Sequence, residues 1–331
     1  MTPNRSLELV CPAGTPAALR TAVDAGAHTV YCGFADETNA RNFPGLNFSR
    51  EELGEGIEYA HRRGAKVLVA INTFPRAGAV AFWQGAVDDA AQLGADATIL
   101  ADLGLLDYAA NKHPKLRLHL SVQAAAANAE AINFYVETFG VKRVVLPRVL
   151  TVQEIAAIHR DTNVETEVFV FGGLCVMAEG RCSLSSYVTG KSPNMNGACS
   201  PASHVEYKQV EGKLASRLGG FTIHAVNDSD GAPYPTVCKG FFQAGDYRGH
   251  VFEDPSSLDA GELIPQLAEA GVTALKIEGR QRSRAYVESV VRGFRKALDA
   301  YEAGKPIVAN ELIALTEGRK STSGAYRKTW R

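Results

Sequence analysis

The chain has almost no net charge, no long apolar run and no apolar leader, and each absence removes a class of function. Its 35 basic and 36 acidic residues leave a formal charge of -1, so no global field draws it to DNA or to an anionic membrane. The most apolar uncharged stretch, Val168 to Ala178, is broken by Gly172 and Gly173 and is too short to span a bilayer. Met1-Thr2-Pro3-Asn4-Arg5-Ser6 runs directly into a strand-like segment without a signal core, so the expectation is a soluble, cytoplasmic protein. Stable disulfides are uncommon there, and the six cysteines call for a metal, catalytic or core explanation.

Catalytic signatures of proteases are missing too. The sequence has no His-Glu-x-x-His zinc motif and no Gly-x-Ser-x-Gly elbow, and its eight histidines show no ligand-like pairing. Closely spaced cysteine pairs of the zinc-knuckle kind are absent, as are the ferredoxin runs.

What is present is a long alternation of β-rich and helix-period segments. The 331 residues are 46% hydrophobic, ample for a sizeable core. Strands are expected at Leu7 to Val10, Thr29 to Cys32, Lys66 to Ala70, Ala97 to Leu100, Leu116 to Ser121, Arg143 to Leu146, Glu167 to Phe171 and Ala274 to Ile277. Helical runs separate them, one starting at a Ser49 cap. Eight such repeats predict an α/β fold, a (β/α)8 TIM-like barrel, with an open parallel α/β sheet as the alternative. The barrel would comprise residues 1–171 plus 272–309, interrupted by a Cys-rich insertion at 172–271 and followed by a polar, basic C-terminal arm at 310–331. Within the insertion, Val205 to Val210 and Phe221 to Ala225 alternate enough to suggest an antiparallel ribbon.

Polar residues recur at the C-terminal ends of the expected strands, the face where barrel enzymes place their chemistry. They put Arg41, Asn72, Asp102, Gln123, Arg148, Lys276, Glu278 and Arg280 around one mouth. Taken singly, an Asp or Asn after a strand is a turn former or a helix cap. As a set rich in guanidinium groups they suit a small anionic ligand, since the guanidinium fork matches a carboxylate. The pattern singles out no catalytic acid or base.

Cys175, Cys182, Cys199 and Cys238 follow the seventh strand with the spacing Cys-x6-Cys-x16-Cys-x38-Cys. Four thiolates complete the protein ligation of an iron–sulfur cluster, but the spacing alone leaves a four-thiolate zinc site open. Glu179 and Arg181, between the first two cysteines, are either a solvated pair or face the cluster and substrate. Cys11 and Cys32 lie in or beside early strands and read as core thiols.

Three stretches carry a resemblance. Glu8-Leu9-Val10-Cys11-Pro12-Ala13-Gly14, Phe171-Gly172-Gly173-Leu174-Cys175-Val176-Met177-Ala178-Glu179-Gly180-Arg181-Cys182 and Lys276-Ile277-Glu278-Gly279-Arg280 are similar to peptidase family U32, the collagenase-like proteins. Asp36-Glu37-Thr38-Asn39-Ala40-Arg41, Leu146-Pro147-Arg148-Val149-Leu150 and Gly197-Ala198-Cys199-Ser200-Pro201 resemble its ubiquinone-biosynthesis (UbiU) branch, over nearly the whole chain. The resemblance implies a [4Fe-4S] cluster on Cys175, Cys182, Cys199 and Cys238. It also implies a heterodimer with a UbiV-like homologous subunit, and oxygen-independent hydroxylation of a ubiquinone precursor with prephenate as oxygen donor. Other relatives hydroxylate RNA bases, and the basic tail Arg319, Lys320, Arg327, Lys328 and Arg331 keeps RNA contact open. An electron-transfer or scaffold subunit is the non-enzyme alternative, and protease activity is not expected.

Overall fold

Side chains alternate across a strand, so a chain of short strands apolar on both faces must be covered on both. That is the design here. The computed structural model describes residues 6–193, 198–227, 232–308 and 312–327. The chain alternates β1 (Glu8–Pro12), α1 (Pro16–Asp24), β2 (Thr29–Cys32), α2 (Arg50–His61), β3 (Lys66–Ile71), α3 (Val80–Gln92) and β4 (Ala97–Leu100). It continues with α4 (Leu103–Lys112), β5 (Arg117–Leu120), α5 (Ala129–Phe139), β6 (Arg143–Val145), α6 (Val152–Asp161) and β7 (Glu165–Gly173). An excursion holds α7 (Leu184–Thr189), β8 (Val205–Val210), β9 (Lys213–Leu218), β10 (Phe221–Val226), β11 (Phe241–Ala244), β12 (Tyr247–His250) and β13 (Ser257–Asp259). Then come α8 (Ile264–Glu269), β14 (Ala274–Ile277), α9 (Arg284–Glu302) and, in the arm, β15 (Ser321–Thr322).

Strands β1 to β7 pair in parallel, each with the next. β14 closes the ring, with Ala274 paired to Glu8 of β1 on one side and to Glu167 of β7 on the other. The eight parallel strands form a closed (β/α)8 barrel, which excludes the open sheet. Val10, Tyr31, Leu68, Ala70, Ala97, Ile99 and Ala274 form an apolar cluster of their own. They alternate along the strands with Leu9, Val30, Val67, Val69 and Leu100, which belong to a second core packed with the helices. Cys11 and Cys32 belong to that second core and are fully buried.

The helices start where the sequence supplies caps. Ser49 and Glu52 form a reciprocal capping box on α2, and Thr151 and Glu154 do the same on α6. α9 buries Val287, Val290, Val291, Phe294 and Leu298, the spacing of one helix face. Each such residue contributes about 1.5–3 kcal/mol by leaving water.

The insertion differs from the expected ribbon. Val205–Val210 and Phe221–Val226 do not pair with each other, because Lys213–Leu218 lies between them in a three-stranded antiparallel sheet. β11 and β12 make a separate hairpin. β13 returns to the barrel, running antiparallel to the end of β7 and parallel to β15. α8 packs against α6 and α9. No helix among the described residues is long and apolar enough to cross a membrane. Of the expected arm, residues 310, 311 and 328–331 lie outside the described residues.

Candidate active site at the barrel mouth

The strand period that builds the two cores also selects what faces the cavity. Residues of the inward set continue beyond the strand ends, and a cavity of ≈ 60 Å³ opens there. It is lined by Tyr31, Arg41, Asn72, Ser121, Gln123, Arg148, Phe169, Glu179, Lys276, Glu278 and Arg280, with Ala70, Ile99, Val122 and Val145 as its apolar walls. Eight of the ten candidates named from the sequence therefore meet at one place. The other two do not. Asp102 accepts a hydrogen bond from the Leu105 amide at 3.0 Å, so its carboxylate caps α4, as its place at a helix start favours. Arg181 is exposed, lies outside the cavity lining and acts on Tyr135 of α5. Glu179 and Arg181 are thus not a solvated pair.

Arg148 is the pivot of the wall. Its guanidinium lies 3.5 Å over the Phe169 ring and pairs with Glu179, both partners being 7% exposed at the side chain. The pair is incomplete: Nε of Arg148, Oε2 of Glu179 and Oε1 of Gln123 are buried without a hydrogen-bond partner. Buried polar atoms are normally satisfied, so three orphans on one cavity wall point to a ligand that supplies donors and an acceptor.

Glu278 is anchored opposite. Its carboxylate accepts the Gly173 N–H at 3.0 Å. Burial alone would raise its pKa, but Arg148, then Arg41 and that amide outweigh it and hold the group below its usual range. Arg280 donates to Asn39 Oδ1 at 2.7 Å; burial, chiefly, lowers its pKa to about 10, which keeps it charged at neutral pH. Asn39 also accepts the Arg41 amide at 3.0 Å, and Asn72 accepts the Ala40 amide at 3.1 Å, which ties the Arg41 loop to the mouth.

The floor is a buried ion network. Lys276 Nζ lies 2.6 Å from Glu167 and 3.6 Å from the Tyr31 ring centre. Glu167 in turn meets Arg143 at 3.3 Å, and Arg143 reaches Glu8 and Glu165 at 2.6 Å each. Burial lowers the Lys276 pKa despite the attraction of Glu167. Tyr31 donates to the Ile277 carbonyl at 3.0 Å. Tyr31 and Phe169 carry no polar strand-end signature in the sequence; both occupy inward strand positions, the one signal that would have found them.

The four cysteines of the insertion gather beside this mouth. Cys175 follows β7 by two residues, Cys182 precedes α7, and Cys238 sits in the tight turn Val237–Lys239. Cys199 is the exposed member and the other three are half-buried. Burial, then Glu179, pushes the Cys175 thiol up to about 12, with Arg148 opposing and Cys199 adding to the rise. Cys199 reaches solvent at its surface but is closely surrounded by protein, and that desolvation raises its thiol, with Arg41 and Arg148 opposing and Cys182 and Glu278 reinforcing. Cys238 is pushed up to about 12 by burial, then by Cys199, with Lys239 opposing and Cys182 reinforcing. Cys175, Cys199 and Cys238 are thus each within electrostatic reach of another of the four, and Cys175 and Cys199 also of the cavity's charges. Among the described residues, no group of three or more His, Cys, Asp or Glu side chains stands close enough to hold a single metal ion.

Gly180 locks this loop to the barrel. Its φ is +79°, and a Cβ there would come 2.0 Å from the Gln123 carbonyl oxygen. Only glycine lets the Cys175-to-Cys182 loop lie so close.

The profile of peptidase family U32 matches residues 14–329. The chain belongs to peptidase family U32. It is 32% identical over 343 residues to tRNA hydroxylation protein P of Escherichia coli, covering 97% of this chain and 74% of that one. It is also 32% identical over 299 residues to the 23S rRNA 5-hydroxycytidine C2501 synthase of the same organism, covering 89% of this chain but 39% of the relative. A third relative, named collagenase, from Porphyromonas gingivalis, is 30% identical over 305 residues, covering 89% of this chain and 66% of its own.

Proposed function

We propose that this protein is the iron–sulfur subunit of an oxygen-independent hydroxylase of the ubiquinone ring, acting with a UbiV-like homologous subunit. One coincidence carries the reading: of four thiols linked electrostatically, Cys175 and Cys199 also feel a buried wall whose Arg148, Glu179 and Gln123 keep unsatisfied polar atoms. The donor set, four thiols with Arg148, Arg41 and Lys239 to offset thiolate charge, fits a [4Fe-4S] cluster on Cys175, Cys182, Cys199 and Cys238. Bound there, such a cluster supplies one-electron redox chemistry.

The chain's own residues supply binding and orientation. Arg41, Arg148, Lys276 and Arg280 outnumber Glu179 and Glu278 in the cavity lining, which favours an anion. Prephenate, a dicarboxylate, is the proposed oxygen donor. In this reading Arg148 Nε binds an acceptor of the ligand, Glu179 Oε2 accepts from a ligand hydroxyl, and Phe169 and Tyr31 exclude water from the wall. The principal electrostatic neighbours of Cys175, Cys199 and Cys238 are one another, arginines, carboxylates and Lys239 rather than a histidine, so a cysteine-peptidase reading has no support there.

The test is a deletion strain grown without oxygen and complemented with wild type or Arg148→Ala. Unhydroxylated quinone precursors should accumulate with the empty vector and with the variant, as read by mass spectrometry. Unchanged quinone in both would sink the reading.

A second reading, hydroxylation of an RNA base, is favoured by the names of the two Escherichia coli relatives. Arg319, Lys320 and Arg327 are exposed on the arm and suit a phosphate backbone; Lys328 and Arg331 lie outside the described residues. Loss of a hydroxylated nucleoside in the same strain, with normal quinone, would establish this reading instead.

A further inference from the structure

We propose that the C-terminal arm is a clasp for the cysteine site, with Lys239 and Glu317 as its positioning residues; the proposal rests on the cluster reading above. Lys239 directly follows Cys238 in the Val237–Lys239 turn and is 4% exposed. Its ammonium donates to the Ser256 carbonyl at 2.8 Å and meets the Glu317 carboxylate at 2.5 Å. Glu317 is held in turn, its amide donating to Ser257 Oγ at 2.9 Å, while β15 just beyond it extends β13.

An ammonium–carboxylate pair with a buried lysine and a half-buried glutamate is a poor way to gain stability alone, since apolar side chains of similar size commonly serve as well or better. It does fix direction. Here it fixes the turn that carries Cys238 against a segment far along the chain.

The other end of the arm reaches the first cysteine. Tyr326, which is buried, donates its hydroxyl to the Phe169 carbonyl at 2.6 Å, on the strand residue whose ring carries Arg148. Gly324 sits where a Cβ would come 3.1 Å from Leu174, the residue before Cys175. One short segment thus touches the neighbours of Cys175 and Cys238 and sets the two turns relative to each other.

The experiment uses the full chain purified anaerobically as wild type, Lys239→Met, Glu317→Ala, Glu317→Gln and Glu317→Asp. Readouts are iron and acid-labile sulfide, the EPR spectrum, the rate of iron loss to a chelator, and the thermal midpoint of the iron-free chain. The clasp predicts that Lys239→Met, Glu317→Ala and Glu317→Gln lose iron about 10–100-fold faster, as for other groups that orient a ligand. Their EPR lines should broaden, Glu317→Asp should largely recover both properties, and the iron-free chains should still melt cooperatively. Should Glu317→Ala fail to fold, Glu317→Gln has the same shape and reads the charge alone. A wild-type cluster unchanged by these variants overturns the clasp while leaving the cluster intact. A wild-type chain without iron and sulfide removes the cluster reading and the clasp with it.

Discussion

Arg148 and Glu179 pair across the wall of the barrel mouth, each keeping one buried polar atom without a partner. Removing either partner leaves the other charge buried and unpaired. Arg148→Ala is therefore expected to cost about 3–5 kcal/mol of stability, and Arg148→Ala with Glu179→Ala less than the sum of the single changes. Urea denaturation of the four chains measures this. Strict additivity would show that the two groups do not interact.

The loop that presents Glu179 depends on Gly180. Alanine there adds the strain of a left-handed backbone, about 1–3 kcal/mol, to a clash with the Gln123 carbonyl. The chain relieves both by moving the loop, so Gly180→Ala should lower iron and sulfide content and weaken carboxylate binding while the barrel keeps its circular dichroism. Isothermal titration with prephenate checks the second effect. Tight binding by the variant would contradict the lock.

Acid should attack the barrel floor. Burial raises the Glu8 pKa, but Arg143 and Thr29 outweigh it and leave a net lowering; Glu165 is likewise lowered by Arg117 and Arg143 against burial. A carboxyl whose folded pKa lies below its unfolded value contributes stability above the unfolded value, here 4.5, and loses it as pH falls through the folded one. Stability should thus drop as pH is taken below 4.5, and Glu8→Gln should flatten the drop. Chemical denaturation from pH 6 to pH 3 decides it, with an unchanged slope in the variant as the opposing result.

The barrel was legible because its signals are local and repeated. The Ser49 cap and the short apolar runs at Leu7 to Val10 and Lys66 to Ala70 mark a helix and strands without reference to distant residues. Five strands outside the barrel were not anticipated; one of them, Lys213–Leu218, reads Lys-Leu-Ala-Ser-Arg-Leu and lacks β-branched residues, and pairing on both sides makes it a strand. At the mouth, position after a strand was enough to find Arg148, Glu278 and Arg280, because the fold alone brings strand ends together. It misplaced Asp102, whose carboxylate the helix start claims. It left Glu179 undecided, since its partner Arg148 is remote in sequence. The floor network around Arg143 and the Lys239–Glu317 pair escaped for the same reason: long-range ion pairs have no spacing to read.

The central claim is that four cysteines, and not Cys11 or Cys32, hold one iron–sulfur cluster. Its most direct test is iron and acid-labile sulfide content with EPR on anaerobically purified wild type, Cys175→Ala and Cys32→Ala. The account predicts about four irons and four sulfides per chain in wild type and Cys32→Ala, and their loss in Cys175→Ala. Zinc without sulfide, or a cluster that survives Cys175→Ala intact, would contradict it.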